Sequence, residues 1–262
     1  MVSGSYAYYR FQRYAKESVP AAINISDFLQ QGTANEQNVD TQNVVTSQAE
    51  RNDPSGAKVT LAAGDKSLPP ELNFKMEFYS QAPFGNWDFP WQEACEEASI
   101  LLVANTYFNH NWTREQFNDQ ILKLVQWQNE NFGDYKDSNI AAIQQMLKRY
   151  LGLESIIHEN PNLDNIKQIL AKGHLIVMPF AGKKLGNPNY TNGGPLYHVM
   201  VIKGYKEGDK VITHDVGTKN GADYVYNWKV LQNALHDFTI PIDNGAKRMI
   251  EILPPSSLTK PN

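Results

Sequence analysis

A change of hydrophobic period at Gly173 narrows the possible folds of this chain more than any other feature. Ahead of it, apolar residues recur at helical spacing. A first run extends from Pro90 to about Phe108, with Asp88 placed to cap it. The capping-box pattern Thr113-Arg-Glu-Gln116 opens a second, to about Asn129, and a third covers Ser138 to Leu151. A fourth, from about Leu163 to Ala171, is closed by Gly173. Beyond Gly173 the period becomes strand-like, in His174–Phe180, Leu196–Tyr205, Lys210–Val216 and Arg248–Leu253, broken by one short helix from about Trp228 to His236. Helices first and strands second predict an α+β domain, its helical half packed on an antiparallel sheet.

Upstream of this domain the composition shifts. From Ile25 to about Leu72, Asn, Gln, Thr, Ser and Asp dominate and large apolar side chains are sparse, which predicts a loosely structured stretch. The aromatic segment Tyr6–Tyr14 ahead of it is suited to dock on the main domain. We therefore expect a partly ordered polar extension over 1–72, the folded domain over 73–255 and a short tail over 256–262. With 41% hydrophobic and 20% charged residues, 262 residues can bury a full core. A formal net charge of −4 offers no basic field for nucleic acid, and no apolar run reaches membrane-spanning length. Met1-Val-Ser-Gly-Ser-Tyr lacks the pattern of a signal peptide but would also suit a chain from which a leader had been removed. The compartment is left open on these grounds, with an extracytoplasmic or cell-envelope home slightly favoured, as is the oligomeric state.

The single cysteine, Cys95 in Trp91-Gln-Glu-Ala-Cys-Glu-Glu-Ala-Ser99, can form no internal disulfide and no multi-cysteine metal site. It is either a small buried hydrophobe or a nucleophile. Its position in the first turns of a helix favours thiolate, whereas Glu96 and Glu97 oppose it. Residues one and two along a helix do not share a face, so both glutamates are expected to turn away from the thiol and to serve the helix dipole. A cysteine nucleophile needs a base, an orienting group for that base and donors for the developing oxyanion. Among six histidines, His110, His158, His174 and His236 sit where surface or structural roles suffice. His198 differs, because Gly193-Gly-Pro-Leu-Tyr-His198 brings it to the start of an apolar strand straight from a flexible loop.

His214 competes with it, and the hairpin decides. Gly208-Asp209 suits a two-residue type II′ turn, which pairs Glu207 with Lys210 and Ile202 with Asp215, leaving His198 and Asp215 on one face and His214 on the other. A bulge or an odd-length loop would instead put His214 beside His198. For the oxyanion, Gln81 in Phe78-Tyr-Ser-Gln-Ala-Pro83 can donate its amide together with the Cys95 backbone N–H; Gln92, one turn before Cys95, reads as a solvated first-turn residue.

The order Gln81, Cys95, Gly-Gly-Pro-Leu-Tyr-His198, Lys-Val-Ile-Thr-His-Asp215 resembles that of papain-like cysteine peptidases. Over about Asn73 to Pro254 it is similar to stand-alone relatives of the bacteriocin-leader-processing peptidases. The resemblance implies a papain-like fold, Cys95 as nucleophile, His198 as general base and acid, Asp215 orienting the imidazole and Gln81 in the oxyanion hole, with no metal or cofactor. The substrate would be a peptide or isopeptide bond in a peptide or protein. The chain departs from the leader-processing enzymes in having Cys-Glu-Glu where they have a small residue after the nucleophile, and it carries no transporter domains, which argues against double-glycine leader cleavage. We expect Gly193, Gly194, Tyr197 and Trp228 to line the cleft, with Asn187–Gly194 as one wall. The alternatives are a cell-wall peptide amidase or acyltransferase using the same site, for which a second histidine in the third position would speak, and an inactive binding module. A metal site from Cys95, His198 and Asp215 explains the same residues less well than an activated thiol.

Overall fold

The computed structural model describes residues 16–31 and 68–259. Within these, α1 (25–31) and β1 (Leu72–Asn73) precede the helices α2 (Cys95–Tyr107), α3 (Arg114–Asn131) and α4 (Ile140–Arg149). There follow β2 (Ser155–Glu159), α5 (Leu163–Leu170), β3 (Leu175–Ala181), β4 (Tyr197–Lys206), β5 (Lys210–His214) and β6 (Tyr224–Asn227). The described part closes with α6 (Trp228–Ala234), β7 (Arg248–Ile252) and a last turn, α7 (Ser256–Thr259). Most of the polar stretch before Leu72 and the aromatic Tyr6–Tyr14 segment lie outside the described residues.

Local signals account for most of the helices. Thr113 caps α3 through a full capping box: its side chain accepts from Gln116 N and Gln116 Oε1 accepts from Thr113 N. Asn162 and Asn165 do the same for α5, and Asn139 accepts from Ala142 N at the start of α4. Satisfying these orphan N–H groups stabilises each helix end by about 1 kcal/mol. The first helix begins later than expected. Trp91–Glu93 form a separate 3₁₀ turn, and Asp88 contributes only its backbone carbonyl, to Gln92 N. The α-helix starts at Cys95 itself, with Ala94 as N-cap.

Helix α2 is apolar all round from Ile100 to Ala104, and every residue but Thr106 is buried. Such a helix belongs in a core rather than on a surface. It packs on β4 and β3 and under α3 and α4, pinned to the sheet by Ser99 Oγ donating to Val199 O (3.1 Å). At its other end Tyr107 Oη donates to Ile252 O and accepts from Leu175 N, both at 2.7 Å, bridging β7 and β3.

The sheet is antiparallel throughout, in the order β2-β7-β3-β4-β5-β6, and β1 joins β4 beyond the reach of β3. The 16–31 segment is tied to it by Ile23, whose N–H donates to Asn73 O (2.9 Å) and whose carbonyl accepts from Lys75 N (2.8 Å). Helices packed on an antiparallel sheet whose central strands are buried on both faces make the α+β, papain-like arrangement expected from the order of elements.

The β4–β5 hairpin departs from its expected register twice. Lys206, not Glu207, pairs with Lys210, so the loop has three residues, with Gly208 and Asp209 both at positive φ. A bulge at Lys203 then shifts the pairing again, setting Ile202 opposite Thr213 and Val201 opposite His214. Each departure alone would flip the side chains of one strand relative to the other; together they restore the original faces. Gly204 is required at the bulge, because a Cβ there would lie 2.3 Å from Leu72 O on β1.

Candidate active site

Three segments meet around His198. It is the second residue of β4, opposite Phe180 on β3, and its ring is 1% exposed. Nε2 lies 2.8 Å from Asp215 Oδ1, just past the end of β5. That contact assigns the proton to Nε2, since a carboxylate only accepts, and leaves Nδ1 with its lone pair free to take a proton.

Asp215 is fully buried, yet its carboxylate has no unmet demand. Oδ1 also accepts from Gly217 N (3.1 Å), and Oδ2 accepts from Asn187 Nδ2 (2.9 Å), Tyr190 Oη and Tyr226 Oη (both 2.6 Å). Burial pushes its pKa up. The His198 charge and the hydrogen bonds from His198, Tyr190 and Tyr226 outweigh this and hold it below the usual carboxylate range. Asp215 N donates to Gly221 O (3.0 Å), and a Cβ at Gly221 would collide with the Asp215 carbonyl, so that glycine lets the loop close tightly behind the carboxylate. Gly217 passes close over the imidazole: a Cβ there would sit 2.8 Å from His198 Cε1.

Cys95 is the first residue of α2, where the backbone N–H groups of the opening turn favour negative charge. Its helix packs on the strand that carries His198, and a hydrogen bond from the Val199 backbone favours the thiolate. Against this, burial first and then the charge and hydrogen bond of Glu96 push the thiol well above its ordinary pKa. The expectation that the glutamates turn away from the thiol is corrected here for Glu96, whereas Glu97 reaches Gln128 on α3. Glu96 is 1% and Glu97 0% exposed, and Cys95 Sγ lies 3.0 Å from Glu96 Oε2. The i, i+1 argument presumes solvent on the far side of the helix; α2 has none, so both carboxylates fold back into the protein. Glu96 Oε1 accepts from Ser138 N (2.7 Å), Glu97 Oε1 accepts from Gln128 Nε2, and Ser138 Oγ donates to Gln128 Oε1 (3.0 Å).

Gln81 reaches the turn that leads into Cys95, and its backbone N–H donates to Val216 O (2.9 Å), joining it to the Asp215 loop. Both of its amide hydrogens are engaged, with Trp91 O at 2.9 Å and Gln92 O at 3.0 Å, while its buried Oε1 has no partner.

The other residues expected in the cleft divide. Gly193 and Gly194 lie in the loop before β4 at positive φ, and Gly194 also makes room for Tyr190, whose ring a Cβ would approach to 2.7 Å. Tyr197 is buried instead, donating its hydroxyl to Ser138 O (3.1 Å) and packing on Phe238. Trp228 is buried too, at the first position of α6, with its backbone N–H on Asp209 O (2.8 Å). His214 is structural: Nε2 donates to Met76 O (3.2 Å) and Nδ1 accepts from Asp223 N (3.1 Å). Burial and then the charge of Lys203 lower its pKa to about 4, so it is neutral. His158 and His174 share Glu251, and His110 stacks on Trp112.

Sequence reasoning missed Asn187, Tyr190 and Tyr226 as the holders of Asp215. The signal present was the cluster of hydrogen-bonding side chains in Asn187-Pro-Asn-Tyr190, read only as a wall.

A search of the curated proteins finds no match. Among solved structures, the chain is similar to a Bacillus anthracis protein described as C39-like, at 14% identity and a TM-score of 0.44, covering 68% of this chain and 94% of that one. The family model described as the Peptidase_C39 like family matches residues 72–238. Because that match runs from β1 through α6 and takes in more than half of the sequence, the chain belongs to the peptidase C39-like family.

Proposed function

We propose that this protein is a thiol hydrolase that cleaves a peptide or isopeptide bond through an acyl-enzyme on Cys95. The observation that carries the reading is the His198–Asp215 pair: a buried carboxylate satisfied by five donors fixes the imidazole proton on Nε2 and leaves Nδ1 as the base. Nδ1 takes the proton of Sγ, the thiolate attacks the carbonyl carbon, and the same proton passes to the leaving amine as the C–N bond breaks. Water, deprotonated by Nδ1, then breaks the thioester and regenerates the thiol. The oxyanion is held by the Cys95 backbone N–H and by Gln81, which gives up one of its two carbonyl partners to donate to it. Asp215 stays ionised throughout and stabilises the imidazolium.

Two observations favour the second reading, a peptidase-like binding module without turnover. The thiol is bound to a glutamate and the Gln81 amide is fully engaged. An amidase with histidine in the third position is not supported, because both ring nitrogens of His214 serve the fold. Iodoacetamide labelling near pH 6 separates the first two readings. Fast labelling of Cys95 that drops about tenfold or more in His198→Ala supports the hydrolase. Labelling as slow as a free thiol in both proteins would sink it.

A further inference from the structure

We propose that Glu96 is a positioning residue for the nucleophile: protonated, it donates to the Cys95 thiolate of a Cys95–His198 ion pair, and ionised, it holds the proton on the Cys95 sulfur and silences it. The inference rests on the thiol hydrolase reading above and deepens it. Three geometric facts carry it. Glu96 Oε2 and Cys95 Sγ are 3.0 Å apart, and both groups are buried. Glu96 is held in that pose by Ser138 N on its other oxygen, so the contact is built rather than incidental. Among the described residues, no lysine, arginine or histidine ion-pairs with Glu96 or with Glu97, whose Oε2 has no partner at all.

Two anions this close in a low-dielectric site cannot both persist. With the proton on Oε2, Glu96 donates to the thiolate, which also accepts from the Val199 backbone and can face an imidazolium. With the proton on sulfur, the thiol donates to the carboxylate and is a poor nucleophile. Loss of one proton to solvent takes the first state to the second: Glu96 ionises and the imidazolium returns its proton to sulfur, so the change follows pH.

The carboxylates that act on Glu96 raise its pKa, and the Cys95 hydrogen bond opposes them. Glu97 follows it on α2 and is itself raised by Glu93 in the turn before, Asp137 precedes α4, and Tyr197 feels the Glu96 charge from β4. Burial first, and then the Glu97 and Asp137 charges, raise the Glu96 pKa well above that of an ordinary glutamate, against the lowering hydrogen bond with Cys95. A group so raised keeps its proton through the acid range and loses it as pH rises.

The test is the rate of Cys95 alkylation by iodoacetamide, scanned from about pH 5 to 9, in the wild type, Glu96→Gln and Glu97→Gln. Wild-type labelling is expected to fall as pH rises, the reverse of an ordinary thiol. Glu96→Gln, whose amide donates to sulfur and cannot ionise, should lose that fall and label about tenfold faster at the alkaline end. Glu97→Gln, which removes a neighbouring negative charge, should move the fall to lower pH. A wild-type rate that climbs with pH as a free thiol does, with Glu96→Gln on the same curve, overturns the proposal. So does a fall that Glu97→Gln leaves in place, a readout available even if Glu96→Gln does not fold. No peptide is cleaved in this assay, so an absence of hydrolysis leaves the proposal intact. Labelling that depends on His198 but climbs with pH refutes the Glu96 role alone, whereas labelling indifferent to His198→Ala refutes the hydrolase reading itself.

Discussion

At the scale of single residues, the site depends on groups that hold other groups. Asp215→Asn keeps the shape but places an amide where Tyr190, Tyr226 and Gly217 all donate. Turnover is expected to fall by about two to four orders of magnitude, with KM little changed, measurable by steady-state kinetics on any cleaved peptide. Gly217→Ala brings a methyl within 2.8 Å of His198 Cε1 and should reduce histidine-dependent labelling of Cys95 while circular dichroism stays native. Glu97 makes a separate prediction about stability. Its pKa is raised from 4.5 to about 7, chiefly by burial, so the folded chain holds a proton that the unfolded chain releases. That contribution is fully present below the unfolded pKa and is lost as pH rises through the folded value, on the order of a few kcal/mol in all. Thermal melts of the wild type should fall between about pH 4.5 and 7, and Glu97→Gln should flatten the profile.

At the scale of elements, what the sequence made legible was what local chemistry decides. Thr113-Arg-Glu-Gln116 announced α3 because a capping box is complete within four residues, and Gly173 announced the end of α5 because its positive φ lets its N–H turn back to Leu170 O. The hairpin was not legible in the same way. Its bulge at Lys203 answers to β1, whose Leu72 carbonyl demands glycine at 204, and to a buried pocket in which Lys203 Nζ donates to Asn73 and Asp223, both at 2.6 Å. The expected two-residue turn placed His198 and Asp215 on one face for a reason that did not hold, and two compensating shifts produced that face. Glu96 was misread because helix periodicity tells which residues share a face, not whether the opposite face is wet; the apolar run Ile100–Ala104 was the available sign that it is not. Gly204→Ala is therefore expected to displace β1 from β4 and to cost about 1–3 kcal/mol of stability, checked by denaturant unfolding.

At the scale of the molecule, a buried helix brings a thiol to a strand, and the sheet brings a carboxylate to the histidine on that strand. Cutting into the shared core should weaken everything at once: Leu102→Ala, fully buried in α2, is expected to cost about 2–5 kcal/mol. The central claim, however, is chemical, and one measurement addresses it most directly. A diverse peptide mixture is incubated with the wild type, Cys95→Ala and Asp215→Asn, and new peptide termini are counted by mass spectrometry. New termini from the wild type, none from Cys95→Ala and few from Asp215→Asn are the expected result. New termini that survive the loss of Cys95, or a wild-type protein that labels rapidly yet produces none across the acid and neutral range, would contradict it.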